Sequence, residues 1–237
     1  MNSELIGNIS SFETMGLVDG PGVRFVVFMQ GCPLRCMYCH NPETWAKGKG
    51  KYDLTPQSLL KKVKRYLAYF GEDGGVTVSG GEPLMQSEFV CEFFKLCKQN
   101  NIHTCLDTSG VGENYEELLD YCDLVILDVK ELDFNKYNNL TGRKIDDFNL
   151  FLDCCQKKNK KLWLRQVIIP EYNDTIENVL KLKEFASKLK NIEKIELLPY
   201  HDMAKDKYKK LGLKYRLEDV PPMNKEECKV LENLLNN

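Results

Sequence analysis

Short apolar runs alternate along this chain with longer segments whose apolar residues recur at helical spacing. Six of the runs are rich in β-branched and aromatic residues and predict strands: GVRFVVFMQG, GGVTVSGG, IHTCLDTSG, DLVILDVK, KLWLRQVIIP and IEKIELLPY. Helical patterns separate them. The first has Thr55 as its predicted N-cap and Pro56 at its first position, followed by Leu59, Leu60 and Val63 on one face.

The predicted strands are nearly continuous apolar runs, which is typical of parallel strands covered by helices on both faces. Six strand–helix units predict an α/β fold in which the parallel strands curl into a partial (β/α)6 barrel, because a full barrel needs eight units. The 237 residues contain no long linker or regular repeat. We therefore expect one domain, 1–237, that closes on a helix at about 225–235.

The composition excludes several classes of function. A formal net charge of −2 gives no overall electrostatic reason to bind nucleic acid or an anionic membrane. The start, MNSELIGNISSF, has neither the basic nor the apolar region of a secretory signal, and no apolar run approaches the roughly 18 residues of a membrane span. We expect a cytoplasmic protein whose ten cysteines do not form a disulfide framework.

Reactive and polar residues stand where the predicted strands end. Cys32 follows the first strand, Glu82 the second and His201 the last, while Asp107 and Asp128 close the third and fourth. In parallel β/α folds the carboxyl ends of the strands meet at one rim, where active sites lie. The sequence therefore predicts a site at this rim.

The densest chemistry lies in GCPLRCMYCHNP, which contains three cysteines and one histidine. Cys36 to His40 spells C-x-x-C-H, the signature of c-type haem attachment, but that attachment does not suit a chain without an export signal. A zinc site would need His40 beside Cys39 on the same metal, which adjacent residues rarely achieve. An iron–sulfur cluster held by Cys32, Cys36 and Cys39, with one iron left open, fits the spacing better. The other seven cysteines are expected to act as small buried hydrophobes.

The spacing C-x-x-x-C-x-x-C resembles that of the radical S-adenosylmethionine (SAM) enzymes. The longer stretch GPGVRFVVFMQGCPLRCMYCHN resembles the narrower signature of the glycyl-radical-activating enzymes. Further motifs extend the similarity: SFETMGLVDGPGVR, YCHNPETW, SGGEPLMQ, HTCLDTSG, LDVK and ELLPYH. The resemblance covers residues 9–201 and implies a partial barrel of the radical SAM type.

This resemblance implies an oxidoreductase that holds one [4Fe–4S] cluster on Cys32, Cys36 and Cys39, with SAM bound at the open iron. One electron from the reduced cluster would cleave SAM to methionine and a 5′-deoxyadenosyl radical. That radical would abstract a Cα hydrogen from a glycine of a partner enzyme. The chemistry belongs to the cofactors, and the protein supplies orientation and exclusion of water.

The resemblance also implies residue roles in binding SAM. Tyr38, Cys39 and His40 would line its adenine side. Gly81 would let the backbone approach closely, and the acid Glu82 suits a cationic amine.

Further contacts to SAM are implied for the DVK stretch and for the histidine after the last strand. Asp128, Val129 and Lys130 close the fourth strand, and charges there need partners if they are buried. Lys130 would meet the SAM carboxylate and Asp128 a cation or a donor, while His201 would contact SAM from the last strand.

A monovalent cation site is a further expectation from Asp107, Thr108 and Asp128, with strand-end capping as the competing interpretation. Arg165 lies in the middle of a strand. Its sequence position fits either a contact to substrate or SAM or a structural ion pair, and the sequence does not decide between them.

Partners follow from the same resemblance. Some activating enzymes carry a cysteine-rich, ferredoxin-like segment after the first cluster, but residues 41–74 here contain no cysteine. This absence favours pyruvate formate-lyase as the protein substrate and a single cluster. The resemblance also implies flavodoxin or ferredoxin as the electron donor, and we expect a monomeric enzyme. The alternatives are another glycyl radical enzyme, such as an anaerobic ribonucleotide reductase, and a non-catalytic structural zinc protein. Residues 205–216, KDKYKKLGLKYR, are expected to be a solvated charged surface.

Overall fold

The fold is built on one mixed β-sheet, seen in a computed structural model that describes residues 4–236. Its strands are β1 (Gly7–Gly16), β2 (Arg24–Met29), β3 (Tyr52–Leu54), β4 (Gly75–Gly80), β5 (His103–Thr108), β6 (Leu124–Asp128), β7 (Lys161–Ile168) and β8 (Ile192–Pro199). Their order is β3-β1-β2-β4-β5-β6-β7-β8. Strands β2 and β4 to β8 are parallel, and β1 runs antiparallel to both β2 and β3.

The six predicted parallel strands are confirmed, and the arrangement is consistent with the predicted partial barrel. The count of six strands was wrong for the sheet as a whole, because β1 and β3 add an antiparallel pair. β1 has the sequence GNISSFETMG, in which polar positions alternate with few apolar ones, and its second half is partly exposed. β3 has only three residues. Neither has the continuous apolar run that marks a strand buried on both faces.

Eight α-helices accompany the sheet in the described part of the chain. They are α1 (Pro56–Val63), α2 (Ser87–Gln99), α3 (Glu116–Asp120), α4 (Phe134–Thr141), α5 (Asp146–Lys157), α6 (Ile176–Ser187), α7 (Lys205–Lys210) and α8 (Lys225–Asn236). As predicted, Thr55 caps α1, since its hydroxyl accepts a bond from the Ser58 amide at 3.1 Å. Three short 3₁₀ segments lie at Pro42–Thr44, Lys64–Tyr69 and Pro83–Gln86.

Two helices, α4 and α7, were missing from the sequence prediction. α4 contains three asparagines, which are poor helix formers, yet Asp133 caps its start and Gly142 ends it with a left-handed φ of 72°. α7 has only six residues and five of them are charged, KDKYKK, so it carries almost no apolar periodicity. Local caps support α4, whereas α7 has no side-chain cap and buries Tyr208.

The main apolar core lies between the sheet and the helices around it. A small second cluster of Cys105, Leu124 and Ile126, with Trp163 against it, lies apart from that core. At the amino-terminal end of β2, Arg24 is fully buried, and among residues 4–236 no carboxylate accepts a hydrogen bond from it. Its guanidinium donates instead to Thr77 Oγ1 at 3.0 Å and lies 3.2 Å from His103 Nδ1.

All ten cysteines are free thiols. Six of the seven outside GCPLRCMYCHNP are buried, as expected of small apolar residues, and only Cys154 is partly exposed. Within residues 4–236, none of the helices has both the length and the apolar character needed to cross a lipid bilayer.

Candidate active site around the cysteine loop

The three clustered cysteines lie in a loop that leaves the end of β2 and is anchored at both of its ends. At its start, the Gly31 amide donates to Thr44 O at 2.8 Å. The Gln30 side-chain amide donates to Glu43 O at 3.0 Å and to Ala46 O at 2.7 Å. These bonds close residues 31–46 into a compact loop, which we call the cysteine loop.

Most of the predicted site residues line one cavity of about 290 Å³ on the inner side of the cysteine loop. The predicted residues that line it are Cys32, Cys36, Tyr38, Cys39, His40, Gly81, Glu82, Asp107, Thr108, Asp128, Lys130 and Arg165. The predicted convergence at the rim is therefore observed. Val129 and His201 do not line this cavity.

The three loop thiols suit an iron–sulfur cluster as a donor set. Cys32, Cys36 and Cys39 are each partly exposed and face the same cavity. Burial raises the pKa of the Cys36 thiol to about 12, although the Lys130 ammonium works against the rise, and burial also raises the pKa values of Cys32 and Cys39. Thiols with raised pKa values are protonated when free, so a bound metal would have to displace their protons.

Two glycines allow the end of β4 to pack against the end of β2 and the start of the cysteine loop. Gly80 has a φ of +111°, and a Cβ there would lie 2.2 Å from Met29 N. A Cβ on Gly81 would lie 2.4 Å from Gly31 O. The GG pair is thus required by the approach of two protein backbones, whatever else binds beside it.

Glu82 is almost fully buried, and its carboxylate is occupied by protein donors. Oε1 accepts from Thr108 Oγ1 at 2.5 Å and from Leu84 N at 3.1 Å. Oε2 accepts from the hydroxyl and the amide of Ser109 at 2.5 and 2.9 Å. Burial raises the pKa of this carboxyl, and the bonds from Ser109 and Thr108 oppose the rise. The residue expected to meet a cationic amine therefore binds the loop after β5 in this structure.

Lys130 forms an ion pair with Asp128, two residues before it on the same strand end. The ammonium also lies over the Tyr38 ring, 5.4 Å from its centroid. Burial lowers the pKa of Lys130, but the Asp128 carboxylate raises it, and the pKa lies above its usual value. The side chain is therefore a cation. The Tyr38 hydroxyl is buried without a hydrogen-bond partner among the described residues. Val129, between the two charges, is fully buried on the other face of the strand.

Arg165 forms a structural ion pair, one of the two roles that the sequence left open, and its contact to substrate or SAM stays a prediction. It lines the cavity, and its Nε donates to Glu196 Oε2 at 2.6 Å. Its Nη2 donates to the backbone oxygen of Val18 and so holds the segment after β1. That segment brings Asp19 to the cavity wall, where burial raises the pKa of its carboxyl.

Sequence reasoning missed Asp19 as a cavity residue because it follows the strand that the pattern did not reveal. Ser79 was missed as well, and its hydroxyl donates to Asp107 Oδ2 at 2.7 Å. Two signals were available: the charged residue in the glycine-rich VDGPG stretch, and the serine directly before the GGEP motif.

The three residues of the expected cation site all line the cavity. Thr108 donates its hydroxyl to Glu82, and burial together with the nearby Asp128 carboxylate raises the pKa of Asp107 to about 6, although Arg165 lowers it. Over residues 4–236, no three His, Cys, Asp or Glu side chains are arranged to hold a single metal ion. The cation site stays a prediction.

His40 and His201 form a stacked pair beside the cavity. Their ring centroids are 3.7 Å apart with planes inclined by 16°, and His40 Nε2 lies 3.0 Å from the His201 backbone oxygen. Burial lowers the pKa of both imidazoles. His201 thus supports a residue of the cavity wall and does not line the wall itself.

The expectation of a solvated charged surface for residues 205–216 agrees with eight of the twelve residues, which are exposed. Lys207, Tyr208 and Tyr215 differ, because they contact other parts of the chain. Lys207 Nζ donates to His40 O at 2.8 Å, Asn41 Oδ1 at 2.9 Å and Glu43 Oε1 at 2.6 Å. Tyr208 and Tyr215 are buried, and Tyr208 packs edge-on against Trp45 at 5.7 Å. This segment therefore covers part of the cysteine loop.

Comparisons with known proteins identify the family of this chain. Residues 26–183 match the Radical SAM superfamily. The chain is 50% identical over 233 residues to a pyruvate formate-lyase-activating enzyme of Clostridium pasteurianum, covering 98% of each chain. It is 43% identical over 236 residues to a pyruvate formate-lyase 1-activating enzyme of Escherichia coli strain K12, covering 98% of this chain and 96% of that one.

Among solved structures, Streptococcus suis SuiB bound to S-adenosylmethionine has a TM-score of 0.66 at 15% identity, covering 87% of this chain and 45% of that one. That likeness concerns the fold alone. The near full-length identities confirm the resemblance carried by the sequence motifs. The chain therefore belongs to the radical SAM superfamily and, within it, to the family of pyruvate formate-lyase-activating enzymes.

Proposed function

We propose that this protein is an oxidoreductase that activates pyruvate formate-lyase by generating a glycyl radical on it. The observation that carries the proposal is the convergence of three free thiols, Cys32, Cys36 and Cys39, on a cavity that also contains the GGE turn and the Asp128–Lys130 pair. Family membership supports the same reaction, since the chain matches curated pyruvate formate-lyase-activating enzymes over almost its whole length.

In the holoenzyme these three cysteines would hold one [4Fe–4S] cluster, and SAM would lie beside it in the cavity. When bound, the pair of cofactors supplies a 5′-deoxyadenosyl radical strong enough to take a Cα hydrogen from glycine. A glycine suits this reaction because it presents no side chain that would block the approach to Cα.

Two groups of this chain are well suited to hold the charged end of SAM. Lys130 is a buried cation that can attract a carboxylate, and its present partner Asp128 can accept a bond from an ammonium group. The unpartnered hydroxyl of Tyr38 is a third available polar group. His40 lines the same cavity, and its stack on His201 fixes the ring plane.

Glu82 takes a positioning role in this proposal. Its carboxylate binds Ser109 and Thr108 and so joins the ends of β4 and β5. We assign to Glu82 the role of holding the cavity wall in place. Any contact of its carboxylate with the SAM amine would be made from this fixed position. If a monovalent cation binds, the carboxyls of Asp107 and Asp128 are the groups that would hold it.

The proposal extends to partners and compartment. We assign the protein to the cytoplasm, where its ten free thiols suit a reducing environment. It would act as a monomer on pyruvate formate-lyase and receive its electron from flavodoxin or ferredoxin.

Anaerobic reconstitution tests the function directly. The protein should bind about four irons per chain, and with SAM, a reductant and pyruvate formate-lyase it should produce the doublet of a glycyl radical by electron paramagnetic resonance. Cys36→Ala should lose SAM cleavage, and Cys154→Ala, which changes a thiol outside the cysteine loop, should keep it.

Two outcomes would contradict the proposal in different ways. Formation of 5′-deoxyadenosine without the doublet would redirect it to another glycyl radical enzyme. A colourless protein with one tightly held zinc would support the structural alternative.

A further inference from the structure

A second cavity lies directly outside the cysteine loop. It is an open groove of about 560 Å³, and it shares no lining residue with the inner cavity. Pro33 lines the groove and Cys32, its neighbour in the chain, lines the inner cavity. The residue that lines the groove is therefore the direct chain neighbour of one predicted cluster ligand, Cys32.

Cationic side chains surround this outer face of the loop. Arg143 and Lys47 line the groove, and Arg143 Nε donates to Pro33 O at 3.1 Å. Arg35 Nη1 donates to Cys32 O at 2.9 Å and to Leu34 O at 2.6 Å. Two guanidinium groups thus contact three consecutive carbonyl groups of the cysteine loop.

The positive charges on this face form no ion pair of their own. Arg35, Lys47 and Arg143 are exposed, and so are Lys49 and Lys144, which lie within two residues of Lys47 and Arg143 along the chain. None of the five forms an ion pair with a carboxylate of residues 4–236, and the Arg35 guanidinium lies over the Trp45 ring at 4.7 Å. We call these five residues the cationic collar.

Acidic residues line the groove as well: Glu88 on α2, Glu113 in the loop after β5 and Asp147 on α5. The groove is therefore lined by charges of both signs. A partner with an acidic contact face would be attracted to the collar and repelled by these three acids, which restricts its orientation.

We propose that the cationic collar is the docking surface for a small acidic protein that carries one electron to the cluster. The inference rests on the proposed function, since only that function requires an electron donor. A carrier at this face would approach the ligand Cys32 from outside while the inner cavity stays free for SAM and the glycine segment. The transfer moves one electron: an anionic flavin hydroquinone becomes the neutral semiquinone, and no bond or proton changes place.

Binding of flavodoxin to the reconstituted holoenzyme tests this surface. Lys47→Glu/Lys49→Glu reverses two collar charges without removing a hydrogen bond to the loop. Calorimetry at low salt should give a dissociation constant about tenfold weaker than that of the wild type, because the attraction is electrostatic. The difference should disappear at about 0.5 M salt. Lys229→Glu, an exposed position on α8, is the matched control and should bind like the wild type.

A second readout separates docking from damage to the site. Reduction of the cluster, followed by its visible absorbance, should slow in the double variant with flavodoxin hydroquinone and stay unchanged with dithionite. Arg143→Gln should weaken flavodoxin binding in the same direction.

Unchanged flavodoxin affinity in the double variant would overturn the proposal, and so would an equal loss in Lys229→Glu. A loss of binding to pyruvate formate-lyase without a change for flavodoxin would assign the collar to the other partner and would also overturn it. Failure of the proposed function would appear separately, as a wild-type protein that dithionite reduces but that does not cleave SAM.

Discussion

Replacing Glu82 with glutamine tests the buried network that joins β4 and β5. The carboxylate accepts four hydrogen bonds, and two of the donors are backbone amides, Leu84 N at one oxygen and Ser109 N at the other. Hydroxyl groups can rotate and accept a bond from a side-chain amide, but a backbone N–H cannot. In either orientation of the glutamine, its NH2 group therefore faces a backbone N–H.

The cost follows from this count. Each buried donor left without an acceptor costs about 1–3 kcal/mol, so one backbone amide and one side-chain donor together cost about 2–6 kcal/mol. For a chain of this size, about 2–4 °C of melting temperature is lost per kcal/mol. We expect Glu82→Gln to unfold at least about 4 °C below the wild type.

The measurement is anaerobic unfolding of the reconstituted protein, followed by circular dichroism in urea and on heating. Glu88→Gln is the control, because Glu88 is an exposed acid six residues later and its change should cost less than about 0.5 kcal/mol. Equal stability of Glu82→Gln and the wild type would refute the reasoning, since it would mean that the two amides do not depend on two acceptor oxygens.

Three further predictions concern the supports of the site. Burial and the Arg24 guanidinium lower the pKa of His103 in the folded protein. The neutral ring therefore contributes stability above the unfolded-state pKa of about 6.5, and this stability is lost as the pH falls below about 6.5. His103→Asn should flatten the change in unfolding free energy between about pH 7.5 and 5.5 in urea titrations; an identical slope would contradict this. Lys207→Met should cost less than about 1 kcal/mol, because the pair with Glu43 is exposed, yet it should speed amide hydrogen exchange in the cysteine loop, whereas Lys209→Met should not. Gly80→Ala should cost about 3 kcal/mol or more through backbone strain and overlap with β2. Gly48→Ala, at a φ of +65° in open space, should cost about 1–2 kcal/mol, and similar urea midpoints for the two alanine variants would count against the overlap.

The sequence was informative wherever a pattern had one physical cause. Parallel strands buried on both faces need continuous apolar runs, and LVILD of β6 is such a run. The antiparallel β1 faces solvent along part of its length and mixes Ser, Glu and Thr with Phe and Ile. Its apolar residues therefore follow neither the two-residue period of a strand nor the period of a helix clearly. Because β1 was not predicted, the loop after it and the cavity residue Asp19 were not predicted either.

Contacts between distant segments account for the other differences in the site. Nothing local marks Lys207 as a partner of the cysteine loop, because its charge resembles that of its lysine neighbours. Glu82 was correctly placed at the rim, but its hydrogen-bond partners come from a strand end 26 and 27 residues later. Such pairings depend on the packing of the whole sheet, which a motif does not contain.

The carboxyl-terminal segment that covers the cysteine loop is synthesised long after the loop itself. His40 meets His201 across 161 residues and Lys207 across 167, so the loop leaves the ribosome long before the segment that packs on it. At about 5–20 residues per second, that interval lasts about 10–30 s. During this time the nascent loop presents Cys32, Cys36 and Cys39 without their final cover. Iron and sulfide can therefore reach the three thiols of the growing polypeptide before translation ends. The carboxyl-terminal segment covers the cysteine loop only afterwards.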